Sequence, residues 1–349
     1  MMIRLTPAKT LVGSYGFCAR NNEAPAVYLY DMEYRVYRLD ESLTHHEAGS
    51  ISNQAKLQFN TLSFHPFMER AAFIMEDGSL GLGDFSGQLL WSKVGSFECV
   101  LFSREGSLIW TAQKLDENRL RISVYLSEDG TLVHTHEMED PLYDSALRMM
   151  DIPASDSVTL ELAAGQDGVS VYELSIHENQ LCIKEMFPNG CYISPAWHPD
   201  GTTLFTLEND MRLFACFSYP AFELSMEQEQ FEEDQEEEDS DMNPGYEMLY
   251  LNNGLAVTQN MNDRFFLFNP SQMERSDELI FEGYEPVPTN TVFPNLLEDT
   301  SIHSQVSSFE RVGQLFIAKT NSLYATQHML IMEEAAVAEA ISSKVKSLE

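Results

Sequence analysis

The stretch from Leu62 to Trp91, LSFHPFMERAAFIMEDGSLGLGDFSGQLLW, constrains the fold most, because it reads as four short strands joined by tight turns. Leu62 to Phe64 is apolar and stops at His65-Pro66. Ala71 to Met75 is apolar again, and Leu80 to Phe85 and Gln88 to Trp91 follow. Glu76-Asp77-Gly78-Ser79 has the composition of a hairpin turn, in which glycine supplies the positive φ that a right-twisting hairpin requires. An antiparallel meander of this size cannot bury both of its faces alone. It needs like-built neighbours on each side, so the stretch predicts a repeat architecture.

Units of the same grammar run along the chain. The first takes in Ile3 to Thr6, Thr10 to Phe17, and a hairpin of Ala26 to Tyr30 and Tyr34 to Leu39. The third runs from Val100 to Trp110, then Leu120 to Leu126, a Ser127-Glu128-Asp129-Gly130 turn, and Thr131 to His136. The fourth reads Leu147 to Ile152, Val158 to Ala163, Val169 to Leu174 and Gln180 to Met186. The fifth, ISPAWHPDGTTLFTLENDMRLFACF, repeats the His-Pro break at His198-Pro199. A sixth follows as Tyr246 to Leu251, Leu255 to Gln259, Arg264 to Phe268 and Glu278 to Phe281. The seventh has Gln305 to Phe309, Gln314 to Lys319 and Ser322 to Gln327, without an obvious fourth strand.

Phe64, Phe102, Ile152 and Trp197 end the first strands of units two to five and lie 38, 50 and 45 residues apart. Those steps bracket the roughly 40–45 residues of a four-stranded propeller blade. The expected fold is therefore all-β, a seven-bladed β-propeller over residues 1–330 with a C-terminal α-helix over 331–349. Two β-sandwich domains are the competing parse, since regular short strands with turn signals also fit that class. Closure stays open: either Met329 to Met332 completes unit seven, or the ring is sealed differently.

On these residues the chain resembles a degenerate WD-repeat β-propeller. Asp84 in LGDF and Asp31 in YLYD stand where that family's aspartate closes a third strand, and Ile122 to Tyr125 and Val169 to Tyr172 match its apolar alternation. No Gly-His dipeptide opens a unit and no Trp-Asp dipeptide closes one. The resemblance implies a non-enzymatic interaction scaffold, similar to acidic WD-repeat proteins that escort basic clients. SGQLLW, Ser86 to Trp91, also resembles the tail of a quinoprotein propeller repeat, but in a single copy, so no cofactor is expected.

Charge narrows the function classes. The 349 residues carry 55 Asp and Glu against 21 Lys and Arg, a formal charge of −34. Eleven of the acidic residues lie between Glu223 and Asp241, which leaves −23 on the rest of the chain. Such a field repels phosphate backbones and anionic headgroups and favours basic partners. Direct nucleic-acid and membrane binding are not expected; a Lys/Arg-rich protein segment is. The run FEEDQEEEDSD, inside an insertion at about 227–244, is too densely charged to bury apolar area and reads as a disordered loop between blades five and six. Its Glu232, Glu233, Asp234, Glu236, Glu237, Glu238 and Asp239 are candidate partner-binding residues; the alternative is a merely solvated insertion. It lacks the alternating Asp/Asn pattern and the glycine of a calcium loop.

The C-terminal segment changes period. Val337, Ile341, Val345 and Leu348 form one apolar stripe, with Glu333 and Glu334 at its start and Lys344 and Lys346 near its end complementing a helix dipole. The stripe either packs on the propeller or docks a partner or a second copy through Val337, Ile341 and Val345.

Few patterns point to catalysis. Five cysteines without a C-x-x-C pair argue against a disulfide scaffold or structural zinc, and no run reaches the roughly 18 apolar residues of a membrane span. The expected setting is a reducing compartment, cytoplasmic, or nuclear if the source is eukaryotic, with a place in a larger complex as an alternative to a free chain. His134 and His136 share one face of a strand and could ligate a metal, but no third ligand is identifiable. His65 and His198, each before proline at a strand end, suggest a loop-forming role. Ser103 to Trp110 approaches the Asp-box of sialidase-like propellers but has Glu105 and Ser107 at its key positions. No catalytic, cofactor-binding or metal residue is singled out. The competing functions are a propeller hydrolase or lactonase with a channel metal, and a polyanion mimic that inhibits a nucleic-acid-binding protein.

Overall fold

The computed structural model describes residues 2–13, 15–17, 27–40, 42–58, 60–165, 168–188, 190–193, 195–208, 213–229, 244–251, 253–260, 265–272, 274–282, 306–312, 314–320 and 328–345. Two compact units are present: Gly16–Ser194, and Met1–Tyr15 together with Pro195–Glu349.

The chain opens with β1 (Met2–Leu5) and β2 (Lys9–Val12), neither of which joins the sheet that follows them. Blade one is β3 (Tyr15–Phe17), β4 (Val27–Asp31), β5 (Arg35–Leu39) and β6 (His45–Ser50), lying in that order across the sheet. Blade two is β7 (Leu62–Phe64), β8 (Arg70–Ile74), β9 (Leu80–Asp84) and β10 (Leu89–Lys93). Blade three is longer: β11 (Phe97–Phe102), β12 (Leu108–Asp116), β13 (Arg119–Leu126) and β14 (Leu132–Glu139). Blade four is β15 (Ala146–Asp151), β16 (Val158–Ala163), β17 (Val169–His177) and β18 (Gln180–Glu185).

In the other unit, blade five is β19 (Ala196–Trp197), β20 (Thr203–Leu207), β21 (Leu213–Ser218) and β22 (Leu224–Glu229). Blade six is β23 (Pro244–Tyr250), β24 (Ala256–Asn260), β25 (Phe265–Asn269) and β26 (Glu274–Phe281), with β1 added as a fifth strand parallel to β26. Blade seven takes β27 (Val306–Val312), β28 (Leu315–Thr320) and β29 (His328–Glu333) from the end of the chain and β2, antiparallel to β29, from its start. Helix α1 (Glu334–Val345) follows directly. Seven separate meanders make the fold a seven-bladed β-propeller, not the broad paired sheets of two sandwiches.

The parse of the ends changes. Residues expected to begin unit one instead complete blades six and seven, and blade one gains its outer strand at β6, whose HHEAGS sequence carries almost no apolar signal. Met329 to Met332 does belong to blade seven, as part of its third strand. Ser322 to Gln327, expected as a strand, lies outside the described residues. Asp84 ends the third strand of its blade, but Asp31 ends the second, so the two aspartates are not equivalent.

Within the unit of blades one to four, each blade is held by what its neighbour offers. In blade two the Leu-Gly-Leu-Gly sequence of β9 leaves a flat bed for the fully buried ring of Phe73. A Cβ at Gly81 would stand 2.8 Å from that ring. Apolar clusters then fill the space between successive sheets. Tyr28, Val36, Phe64, Phe73 and Phe85 join blades one and two. Ala72, Leu82, Phe97, Phe102 and Tyr125 join two and three, and Trp110, Ile122, Leu147 and Leu160 join three and four.

Candidate functional site

Glu232, Glu233, Asp234, Glu236, Glu237, Glu238 and Asp239 lie outside the described residues, in the stretch that links β22 to β23. The helix stripe is placed. Val337 and Ile341 are buried in one cluster with Ile3, Leu5, Phe309, Phe316 and Met332, so of the two readings the stripe packs on its own propeller strands. Val345 is the last residue of the helix. Because this face is core, Ile341→Ala is expected to destabilise the protein by roughly 2–4 kcal/mol, read by urea unfolding.

Part of the acidity serves the turns. At the hairpin ends an aspartate repeatedly accepts the backbone N–H two residues on: Asp77 from Ser79, Asp84 from Ser86, Asp116 from Asn118, Asp129 from Thr131 and Asp200 from Thr202. Asp31 and Asp40 each accept from the second and fourth residues beyond them. These are Asx turns, in which the carboxylate replaces a missing main-chain partner. The bonds favour the charged form. The Ser86 hydroxyl holds Asp84 below the usual carboxylate range, as Ser42, Thr44 and His46 do Asp40 and Arg119 does Asp116.

One open pocket of about 600 Å³ lies within the first unit, between the β10–β11 linker and the face of blade three. Its origin is a mismatch of strand length. β10 has 5 residues, whereas β12 has 9 and β13 and β14 have 8 each, so part of blade three's face has no strand over it. Three rows of side chains cross that face. Ile109, Tyr125 and Leu132 make an apolar row; Thr111, Ser123 and Thr135 a hydroxyl row; Gln113, Arg121 and Glu137 a polar and charged row. Phe97 meets Tyr125 edge-on with centroids 6.2 Å apart, and burial pushes the Tyr125 hydroxyl's pKa up. At the lip stands Val94, 97% exposed. Arg121 donates to Glu137 Oε1 through Nη2 at 2.5 Å and Nε at 3.1 Å.

The motifs singled out for chemistry divide. His134 and His136 lie opposite Val124 and Ile122 on β13, which confirms a shared face, the one turned toward blade four. Among the described residues no three His, Cys, Asp or Glu side chains are grouped to hold a metal. The described cysteines Cys99, Cys182, Cys191 and Cys216 are not in disulfides, and burial pushes Cys216 up to about 12, far from a thiolate nucleophile. His65 does form its loop, accepting the Phe67 and Met68 N–H groups on Nδ1 at 3.0 and 3.1 Å. His198 Nδ1 faces Asp200 Oδ1 at 2.8 Å in the equivalent loop of blade five. Among the described residues no helix is long and apolar enough to cross a membrane.

The blade-three pocket was missed from sequence, although RLRISVYL carries its signal. Arg121, Ser123 and Tyr125 alternate with core Ile122 and Val124 on a face that a middle strand of a stacked blade should bury. Comparison with protein-family models finds no match, and comparison with curated proteins finds none either.

Proposed function

We propose that this propeller is a non-enzymatic scaffold or escort of WD-repeat type that binds a Lys/Arg-rich segment of a protein partner through its acidic surface. The observation that carries the reading is the charge imbalance, −34 overall and −23 without the stretch from Glu223 to Asp241. The ion pairs support it. Arg35, Lys114, Arg119 and Arg121 already stand against carboxylates at 3.0 Å or less, so these cations do little to offset the excess of acid toward an approaching partner. Long-range attraction steers the basic segment in, and short-range contacts then hold it.

Hexalysine is a sufficient probe. Its affinity, measured by titration calorimetry, is expected to fall at least tenfold between about 50 and 300 mM salt, as the screening length shortens. Removing residues 230–243, which link β22 to β23, is expected to weaken binding without abolishing it, because most of the charge lies elsewhere. Absence of hexalysine binding at low salt, or an affinity indifferent to salt, overturns the reading.

A further inference from the structure

The pocket beside blade three has a polarity gradient that its place in the fold does not require. One end is apolar, formed by Tyr125 and Leu132; the middle carries the Ser123 and Thr135 hydroxyls; the far end carries Gln113, Arg121 and Glu137, with Phe97 opposite Gln113 on β11 and its ring edge-on to that of Tyr125. An apolar stem ending in a charged head matches that order, and two side chains have this build with a cationic head. An anionic head would need a free cation. Arg121 is already held by Glu137, Lys114 donates to Asp144 at 2.6 Å, Arg119 pairs with Asp116 at 2.7 Å, and Lys93 lies over the Trp91 ring at 6.0 Å.

A cationic head meets the opposite situation. Residues 93–144 contain five Lys and Arg against ten Asp and Glu, a formal charge of −5. Both bonds from Arg121 fall on Oε1 of Glu137, which leaves Oε2 to accept a further donor without breaking the existing pair. Val94 is also accounted for. A large apolar side chain 97% exposed on a short linker, lining the same pocket as the buried Phe97 and Tyr125, gains a covering surface once an aliphatic stem lies against it.

We propose that this pocket receives a lysine or arginine side chain of the basic segment, with its stem along Val94, Phe97 and Tyr125 and its charged head on Glu137 Oε2. The inference rests on the acidic-surface reading above and names one seat within it. Specificity follows from geometry: a polycation binds anywhere in a diffuse negative field, whereas this seat couples a carboxylate to an apolar trough.

The test uses the full-length protein and hexalysine, with three variants. Glu137→Gln is expected to weaken binding about tenfold, the loss of one charge-assisted hydrogen bond. Glu128→Gln removes the same charge from an exposed turn of the same blade and is expected to change affinity by no more than about twofold. Val94→Ser, at a position too exposed to affect folding, is expected to weaken binding about threefold through the uncovered stem. Equal effects of Glu137→Gln and Glu128→Gln, or an unchanged affinity with Val94→Ser, overturn the seat while leaving the acidic-surface reading intact. Failure of hexalysine to bind the unaltered protein overturns both.

Discussion

Deleting residues 1–12 is expected to abolish cooperative unfolding of blades six and seven. β1 and β2 are the only described strands that leave the local order of the chain, and they do so over its full length: Ile3 pairs with Leu279 and Leu11 with Met329. Closing a loop that long costs entropy that grows only slowly with length, so the closure is favourable if the contacts at the seam are good. They are. Ile3 and Leu5 are each 2% exposed and Leu11 5%, the first two inside the cluster that also seats Val337 and Ile341 of α1. Burying three such side chains contributes roughly 5–9 kcal/mol as an upper estimate, comparable to the whole stability of an ordinary domain. The Glu282 N–H also donates to the Leu5 carbonyl at 2.9 Å, and the Thr6 hydroxyl to the Glu282 carboxylate at 2.8 Å. Without β1 and β2 the edges of β26 and β29 are exposed as templates for pairing with other chains. The deletion is expected to lower the melting temperature by more than ten degrees or so and to promote aggregation, and a synthetic peptide of residues 1–12 to reverse part of both effects. A deletion variant melting within a few degrees of the full chain would show that the seam is incidental.

That seam also marks where sequence reasoning stops. The meander grammar is local: an apolar strand, a glycine at the hairpin and a second strand can be read within about a dozen residues, and so β7–β9 and β16 are legible to within a residue or two. Nothing local tells Lys9–Val12 that its partner is His328–Glu333, because the two lie at opposite ends of the chain and the pairing is set by the edge that β29 presents in the finished fold. β6 is illegible for a different reason. An outer strand buries little on either face, so HHEAGS needs no apolar alternation to hold its place beside β5.

The candidate site divides along the same line. Charge is additive and could be read from composition, whereas its uses could not. The aspartates that cap turns are indistinguishable in sequence from those that face solvent, except where a glycine or serine two residues on betrays the Asx turn, as in Asp84-Phe85-Ser86. The apolar stripe at Val337 and Ile341 is equally legible as a pattern, and only packing shows that it faces core. The blade-three pocket depends on two neighbouring blades having strands of unequal length. That is a relation between units, and repeat counting treats units as alike.

His65 ties two of those units together, and its protonation is expected to loosen them. The ring is 4% exposed, and its Nδ1 accepts two backbone N–H groups, which an imidazolium cannot do. The other side of the ring faces the turn of blade three. A Cβ on Gly106 would lie 2.4 Å from it, and Gly106 has φ of 71°, so the close approach requires glycine. Phe102 packs on the ring at 5.0 Å. Burial, with a smaller push from Arg70, lowers the His65 pKa from 6.5 to about 4. The sign follows from linkage. Above pH 6.5 the ring is neutral in both states and contributes no pH dependence; between 6.5 and 4 the unfolded chain takes up the proton and the folded one does not, so stability falls as pH falls. The loss levels off near 3 kcal/mol once pH is below the folded value. Turn carboxylates such as Asp84 and Asp116 titrate lower still, so their contribution disappears in a more acidic window. Partial neutralisation of the −34 charge acts in the opposite direction across the same range, which makes a comparison between variants the proper readout. His65→Asn keeps a side-chain acceptor for the Phe67 and Met68 N–H groups but cannot titrate. It is expected to be less stable than the unaltered protein at pH 7, through lost contact with Phe102, and to close that gap by about 3 kcal/mol as urea unfolding is repeated toward pH 4. Parallel stability profiles for the two proteins would mean that His65 is protonated in the fold, contrary to the two hydrogen bonds its Nδ1 accepts.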